Sequence, residues 1–570
     1  MNDRLIDRLS EDEKRILSDI YEPTDVAVPC KNPWGNLTVM RDGKIRVYGI
    51  YRPEFVNWEI KGDECYMETE NFGLTWSTRF IGNAKALKNS SYVWFNDKYC
   101  KVEVVSGEGT YFCYAYSPDD EAQITLISKN EYIDVRLPFV LKNKNRIITV
   151  VHEMRPELHP SCFFAVLLII DDFGKNFKEI KLPAVPFFEK HGAHKGCRWQ
   201  QNNRENTIEE LSDGTLMMIS RTALDYHYIS YSYDHGDTWT TPVSSRFHST
   251  ATMPYLKRLS DGRLLFFWCD TQPLPELESA DGVWEDVFTN RDACHVAISE
   301  DDGKTWIGYR ELRLDPVRNN SDFRSVGGVN TGIDKSVHQF EATELPMNKV
   351  LVVSGQHKAS RAISIFDVDW LYEKSREEDF LEGLGNISSQ VYLKSVLGGY
   401  RGYGYSGHCA YNRLSGAVML PDPEDENKEC VYLSFLQDDR LIDGVCGLVW
   451  NFPAMKKGEI KLTASIKGQP LRVSLANFWL NPCDETVAGE ANASFVLGKN
   501  SEEQEFFEYT IKIDCDGREV EATFPGGKKE VYKMHGEFPD GLCYLHLQTE
   551  ARSNKERGIY VRYISAKAKE

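Results

Sequence analysis

The sequence predicts an all-β chain: six repeated four-stranded units, a strand-rich C-terminal segment after them, and one short helix in front. Three observations predict this. A turn of the form Ser-x-Asp-x-Gly-x-Thr-Trp recurs along the chain, an Asp-Gly hairpin recurs upstream of it, and both stop near residue 456, where alternating apolar and polar stretches take over.

The turn is complete in Ser232-Tyr233-Asp234-His235-Gly236-Asp237-Thr238-Trp239 and in Ser299-Glu300-Asp301-Asp302-Gly303-Lys304-Thr305-Trp306. Thr69-Glu70-Asn71-Phe72-Gly73-Leu74-Thr75-Trp76 changes two fixed positions, and Ile170-Asp171-Asp172-Phe173-Gly174-Lys175-Asn176-Phe177 is worn further. Each position has a physical job. Gly takes positive φ, Asp or Asn accepts the turn amides, Thr opens the next strand and the aromatic ring anchors the turn. A turn that recurs along a chain marks a repeat protein.

The hairpins Arg41-Asp42-Gly43-Lys44-Ile45, Leu211-Ser212-Asp213-Gly214-Thr215-Leu216 and Leu259-Ser260-Asp261-Gly262-Arg263-Leu264 each lead into β-rich residues. Weaker counterparts at 141–150, 345–353 and 414–420 bring the count to six units. Two hairpins make a four-stranded blade, and six blades around an axis make a β-propeller whose closure protects its edges. Residues 4–20 place Leu5, Ile6, Leu9, Ile16, Leu17 and Ile20 at helical spacing among charges, which predicts a short amphipathic helix. Beyond 456, segments such as Ile460-Lys461-Leu462-Thr463-Ala464 and Tyr560-Val561-Arg562-Tyr563-Ile564 alternate with period two and predict a jelly-roll-like β-sandwich. The expected division is 1–29 for the helical extension, 30–455 for the propeller and 456–570 for the sandwich.

The turn resembles the Asp-box, or BNR repeat, of the sialidase superfamily, and the six-unit arrangement is similar to that family's six-bladed propeller. The box itself is a structural turn and does not point to chemistry. Lys and Arg number 67 against 86 Asp and Glu, a formal charge of −19, so the surface repels nucleic acid and anionic membranes. An acidic glycan partner therefore needs a local cluster of arginines. The charged start Met1-Asn2-Asp3-Arg4 lacks an apolar signal core and no apolar run reaches membrane length, which leads us to expect a cytoplasmic protein. The 14 cysteines have no paired spacing and no metal-ligand motif occurs, so neither metal nor cofactor is expected.

Further site residues follow from the resemblance. Asn203-Arg204-Glu205-Asn206-Thr207 with Met217-Met218-Ile219-Ser220-Arg221 resembles the sialidase segment in which a glutamate polarises a tyrosine nucleophile and an arginine clamps the substrate carboxylate. That implies these roles for Glu205 and Arg221. Gly402-Tyr403-Gly404-Tyr405-Ser406-Gly407 is similar to the element that supplies the nucleophile, here Tyr405. Phenol is a weak nucleophile at neutral pH, and sialidases are the tyrosine exception among retaining glycosidases. Arg361, in Gln356-His357-Lys358-Ala359-Ser360-Arg361, is similar to a second clamp arginine; a planar guanidinium binds a carboxylate bidentately where lysine cannot.

Two departures stand against these matches. The arginine that opens the first blade in sialidases is missing from Pro33-Trp34-Gly35-Asn36-Leu37, and Arg136 falls where the family carries its acidic proton donor. Asp63, Glu153 (with Arg155 two residues on), His338 and His408 are the candidate replacements, histidine because it titrates near neutrality. Trp34, Trp58, Trp199, Trp268 and Tyr403 lie near inner hairpins, where aromatic faces can stack on sugars.

Three functions remain open on the sequence. The leading one is a hydrolase that removes an acidic terminal sugar, with Tyr405 as nucleophile, Glu205 activating it, Arg221, Arg361 and Arg136 binding the carboxylate, and His338 as acid. The second is a lyase on uronate-containing glycans, using Arg136, His338, His408 and Tyr405. The third is a non-catalytic glycan-binding propeller.

Overall fold

The computed structural model describes residues 3–569 apart from 31–35, 52–62, 81–91, 156, 159–161, 190–202, 250, 274–287, 290, 317, 320–336, 357–359, 393–412, 438–443, 467–468, 485 and 499–505. Among the described residues the chain is almost wholly β. Five four-stranded antiparallel sheets follow one another, each running through its strands in sequence order. Their first strands are Leu37–Val39, Val93–Phe95, Phe139–Leu141, Arg204–Glu210 and Tyr255–Arg258. A sixth sheet is built from Phe340–Glu344, Lys349–Ser354 and Ala362–Asp367, and its fourth strand is Thr24–Ala27 from the other end of the chain.

The count of six agrees with the repeat, but its membership differs. The unit expected at 414–420 is absent from this series, because Ala417–Asp422 pairs into an eight-stranded sheet. The unit at Val93–Ser128 carries no box, and only its tight turn at Asn96 and Asp97, both at positive φ, marks it. The box turns themselves join the third and fourth strands of their sheets. In the copy at 232–239, Ser232 Oγ donates to Asp234 Oδ1 (2.9 Å) and accepts from the Gly236 N–H (2.8 Å). Asp234 accepts from Thr238 N (2.8 Å), and the Trp239 indole donates to Gly236 O (3.1 Å). The copies at 299–306 and 69–76 repeat every bond, with Asn71 standing in for Asp. Gly236 has φ of 97°, and a Cβ there would lie 2.8 Å from Ile148, so both backbone and space demand glycine.

First strands of successive sheets are tied by side chains of one to backbone of the next. Leu37 N donates to Glu341 Oε2 (2.6 Å), Tyr92 N to Thr38 Oγ1 (3.0 Å), and Leu256 N to Thr207 Oγ1 (3.0 Å). One cavity of about 410 Å³ is lined by residues at or next to all six first strands, among them Leu37, Tyr92, Arg136, Asn206, Tyr255 and Glu341.

The N-terminal helix is shorter than its periodicity. Ser10 interrupts it because its hydroxyl accepts from Glu13 N (3.2 Å) while Glu13 reaches back to Ser10 N (2.9 Å), a capping box that starts a fresh helix at Glu11–Asp19. Leu9 and Leu17 then pack with Ile45, Val47, Leu351 and Ile363, between the first and sixth sheets.

Strand pairing changes character at Ser375–Glu378, well before residue 456. That strand joins Ile559–Ala568 in the eight-stranded sheet, and Ile387–Ser388 joins a second, five-stranded sheet. The two sheets share one buried cluster that includes Trp450, Ile460, Val473, Ile511 and Leu545. Asp540 fixes this unit to the fourth and fifth sheets, accepting from Arg246 Nη1 (2.7 and 2.8 Å), the Tyr309 hydroxyl (2.6 Å) and Trp306 N (3.2 Å). Among the described residues no helix is long and apolar enough to cross a membrane, and twelve cysteines are free thiols.

The Asp301 carboxyl is held below the usual carboxylate range: burial alone would raise it, but the bonds from Thr305 and Ser299 outweigh burial. A depressed folded value stabilises above the unfolded pKa, and that contribution is lost as pH falls through the folded one. Asp301→Ala is expected to cost about 1–2 kcal/mol at neutral pH. The gap from the parent protein should narrow below about pH 4. Urea unfolding at several pH values measures this, and equal midpoints at pH 7 would contradict it.

Candidate active site around the buried Glu205–Arg221 pair

The first strand of the fourth sheet opens on a local irregularity. Arg204 is in register with Arg221, the register then shifts before Thr207, and Glu205 sits between them at φ of 50°. A non-glycine residue at positive φ beside a bulge costs about 1–3 kcal/mol and persists only where its surroundings hold it. Here the holding group is Arg221, whose Nη1 donates to Glu205 Oε2 at 2.6 Å. The two residues are 1% and 3% exposed, so the ion pair is dry.

The other groups acting on this pair are cations. Burial would raise the Glu205 carboxyl, but Arg221, Arg204 and Arg136 hold it below the usual range. Arg221 is pulled down to about 10, first by burial and then by Arg291 and Arg204, against the opposing pull of Glu205. It stays protonated at neutral pH, and its Nε and Nη2 find no hydrogen-bond partner. Arg204 lies over the Phe163 ring at 4.4 Å and donates to Asp134 Oδ2 at 3.2 Å. Asp134 also hydrogen-bonds His152 Nδ1, leaving His152 Nε2 buried without a partner. Burial opposes ionisation of Asp134, but His152, Arg204 and Arg136 overcome it and keep its carboxyl far below the usual range.

The structure thus brings Glu205, Arg221 and Arg136 together. His338 is fully buried beside them, bonded through Nε2 to the Met253 amide and through Nδ1 to Arg291, and Arg136 Nη2 lies 3.1 Å from Met253 Sδ. Arg361 is engaged elsewhere, donating to the carbonyls of Cys30 (2.7 Å) and Gln356 (2.9 Å). Tyr405 and His408 lie outside the described residues, as do Trp34, Trp58, Trp199 and Tyr403. Trp268 is 2% exposed and stacked on Phe266, inside the packing. Glu153 is paired with Arg155 at 2.7 Å. Next to the stretch that lacks the first-blade arginine, the Asn36 backbone amide donates to the Glu341 carboxylate, at 3.0 and 3.1 Å.

Asp134, His152, Arg204 and Arg291 belong to this cluster and were not among the residues expected from the sequence. Asp134 stands two residues before Arg136, so period-two alternation could have flagged it. Arg204 is next to Glu205, where the same alternation would send it to the other face, and the register shift between Arg204 and Thr207 breaks that alternation. His152 and Arg291 carry no local motif.

Residues 135–400 match a BNR repeat-like domain. No curated protein matches the sequence. Among solved structures, a protein of unknown function from Dyadobacter fermentans is 15% identical with a TM-score of 0.37, covering 61% of this chain and 97% of its own. Trypanosoma rangeli sialidase as a covalent intermediate with 2,3-difluorosialic acid is 10% identical with a TM-score of 0.37, covering 96% and 94%. The same sialidase with sialic acid is 11% identical with a TM-score of 0.34, covering 96% and 95%. At such scores the likeness settles no detail of the site.

Removing one member of a dry ion pair strands the other. Glu205→Gln is expected to lower unfolding stability by about 3–5 kcal/mol, and the double change E205Q/R221M to recover most of it. Thermal or urea unfolding of the three proteins measures this, and a single variant as stable as the parent would contradict it. Residues 135–400 thus carry a BNR repeat-like domain, and three box turns of the chain repeat one set of hydrogen bonds.

Proposed function

We propose that the protein is a glycoside hydrolase that removes an acidic terminal sugar from an oligosaccharide. In this reading the six sheets are the blades of one propeller, closed by Thr24–Ala27 and running to Asp367, and the sheets from Ser375 onward form a β-sandwich. The reading rests above all on Arg221, a buried guanidinium with two donors left over after it has bound Glu205. Unpaired buried donors are costly, and a ligand carboxylate is the group that satisfies them bidentately. Arg136, Arg204 and Arg291 favour the same charge.

The chemistry follows from the protonation states. Glu205 is ionised and can accept the proton of a phenol, so Tyr405, carried by the segment 393–412, would attack the anomeric carbon. The bond to the aglycone oxygen breaks, that oxygen leaves as an alcohol with a proton from solvent, and water then cleaves the tyrosyl–sugar bond, releasing the sugar and restoring the phenol. Arg221, Arg291 and Arg136 would bind the sugar carboxylate, with His338 positioning Arg291 through its ring. His408 would contact the sugar from the same segment as Tyr405. Arg361 would contribute only by holding the Cys30 and Gln356 backbone.

A second reading draws on His152. An imidazole oriented by Asp134, with its far nitrogen unpartnered and a guanidinium nearby, suits proton abstraction beside a neutralised uronate carboxylate, the step of a lyase.

One set of assays separates these. The hydrolase reading predicts fluorophore release from 4-methylumbelliferyl N-acetylneuraminate or glucuronide. It predicts kcat/KM lower by about 10²-fold or more in Y405F and R221K, each checked for folding by circular dichroism. The lyase reading predicts absorbance growing at about 235 nm on uronate oligosaccharides, from the alkene conjugated to the carboxyl. Turnover unaltered by R221K, or none on either substrate class, would overturn both.

A further inference from the structure

A second cavity, also of about 410 Å³, lies between the fourth sheet, the box turn at Gly303 and Trp306, and the C-terminal sheets. Its floor is apolar, with Met217 and Trp306 buried. Its walls carry two phenols, Tyr226 and Tyr231, and Tyr226 is 38% exposed. Asn477 and Glu537 of the C-terminal unit close the rim. The volume falls in the range of small-ligand sites, and an aromatic floor with a few polar groups at the rim is their usual composition.

The charges of this cavity are unlike those around Glu205. Among the described residues its one cation, Arg246, is neutralised by Asp540 at 2.7 and 2.8 Å. The remaining charge, Glu537, is negative and exposed. An acidic ligand is therefore repelled, whereas a hydroxyl-rich neutral one can lay an apolar ring face on a phenol and hydrogen-bond to Asn477, Glu537 and Ser244.

The geometry points to a neutral saccharide-binding site in this crevice, separate from the arginine cluster around Glu205 and formed jointly by the sheet series and the C-terminal unit. It does not depend on the enzyme reading, since it uses none of the same residues. Binding here would hold a neutral part of a glycan on the protein whether or not the acidic end is processed.

Isothermal titration of the full-length protein with lactose, cellobiose and maltose tests the site. Saturable binding of at least one is expected, weakened at least tenfold by Tyr226→Ala and abolished by Ser244→Trp, which fills the opening from an exposed position, and unaltered by Arg221→Lys. N-acetylneuraminate run in parallel should show the opposite dependence, losing affinity only in Arg221→Lys, so failure of one site is read apart from failure of the other. No saturable binding of the three disaccharides, or binding indifferent to both crevice variants, would overturn the proposal.

Discussion

The buried pairing of Glu205 with Arg221 is the constraint around which the candidate site is organised. A carboxylate forced to positive φ at the start of a strand needs a partner strong enough to offset the strain, and the guanidinium at the end of the adjacent strand supplies it. Burial makes the pair costly to break without making it a large net source of stability. What it does provide is orientation. With one nitrogen committed to Glu205, the other Arg221 donors are fixed in space, and Arg204, tied to Asp134 and laid on Phe163, fixes the next cation.

The rest of the molecule serves that placement. Box turns and Asp-Gly hairpins tie the strands within the sheets that carry them, and the bonds between first strands of neighbouring sheets set those sheets side by side around the cavity. Closure of the sixth sheet by Thr24–Ala27 joins the two ends of the series, with Leu9 and Leu17 packed over the seam. The C-terminal sheets then brace the fourth and fifth sheets through Asp540, and through Trp479 N on Asp270 at 2.8 Å. A site assembled from several sheets is only as exact as their mutual packing, which is why so much of the chain is scaffold.

Much of the fold was legible because turn chemistry is local. The bonds that define the turn, among Ser, Asp, Gly, Thr and Trp, fall within eight residues, so the motif can be read without knowing what it packs against. The unit at Val93–Ser128 escaped notice because its turns rely on Asn96, Asp97 and Gly107 at positive φ, a signal shared with ordinary loops. The unit expected at 414–420 was misread because a hairpin pattern does not say which sheet it joins. The site was legible where residues lie close to a motif, as with Glu205 and Arg221. Arg291, in the turn before Ala293–Ser299, and His152, in Arg146–Met154, lie far apart in sequence, and only tertiary packing brings them to the cluster.

The central claim is that the guanidiniums around Glu205 bind an anionic sugar beside a tyrosine. A crystal structure determined with N-acetylneuraminate tests it most directly. The account predicts the sugar carboxylate bidentate on Arg221, flanked by Arg136 and Arg291, with the Tyr405 hydroxyl within about 3 Å of Glu205. A candidate site left empty at saturating sugar, or Tyr405 on another face of the molecule, would contradict it.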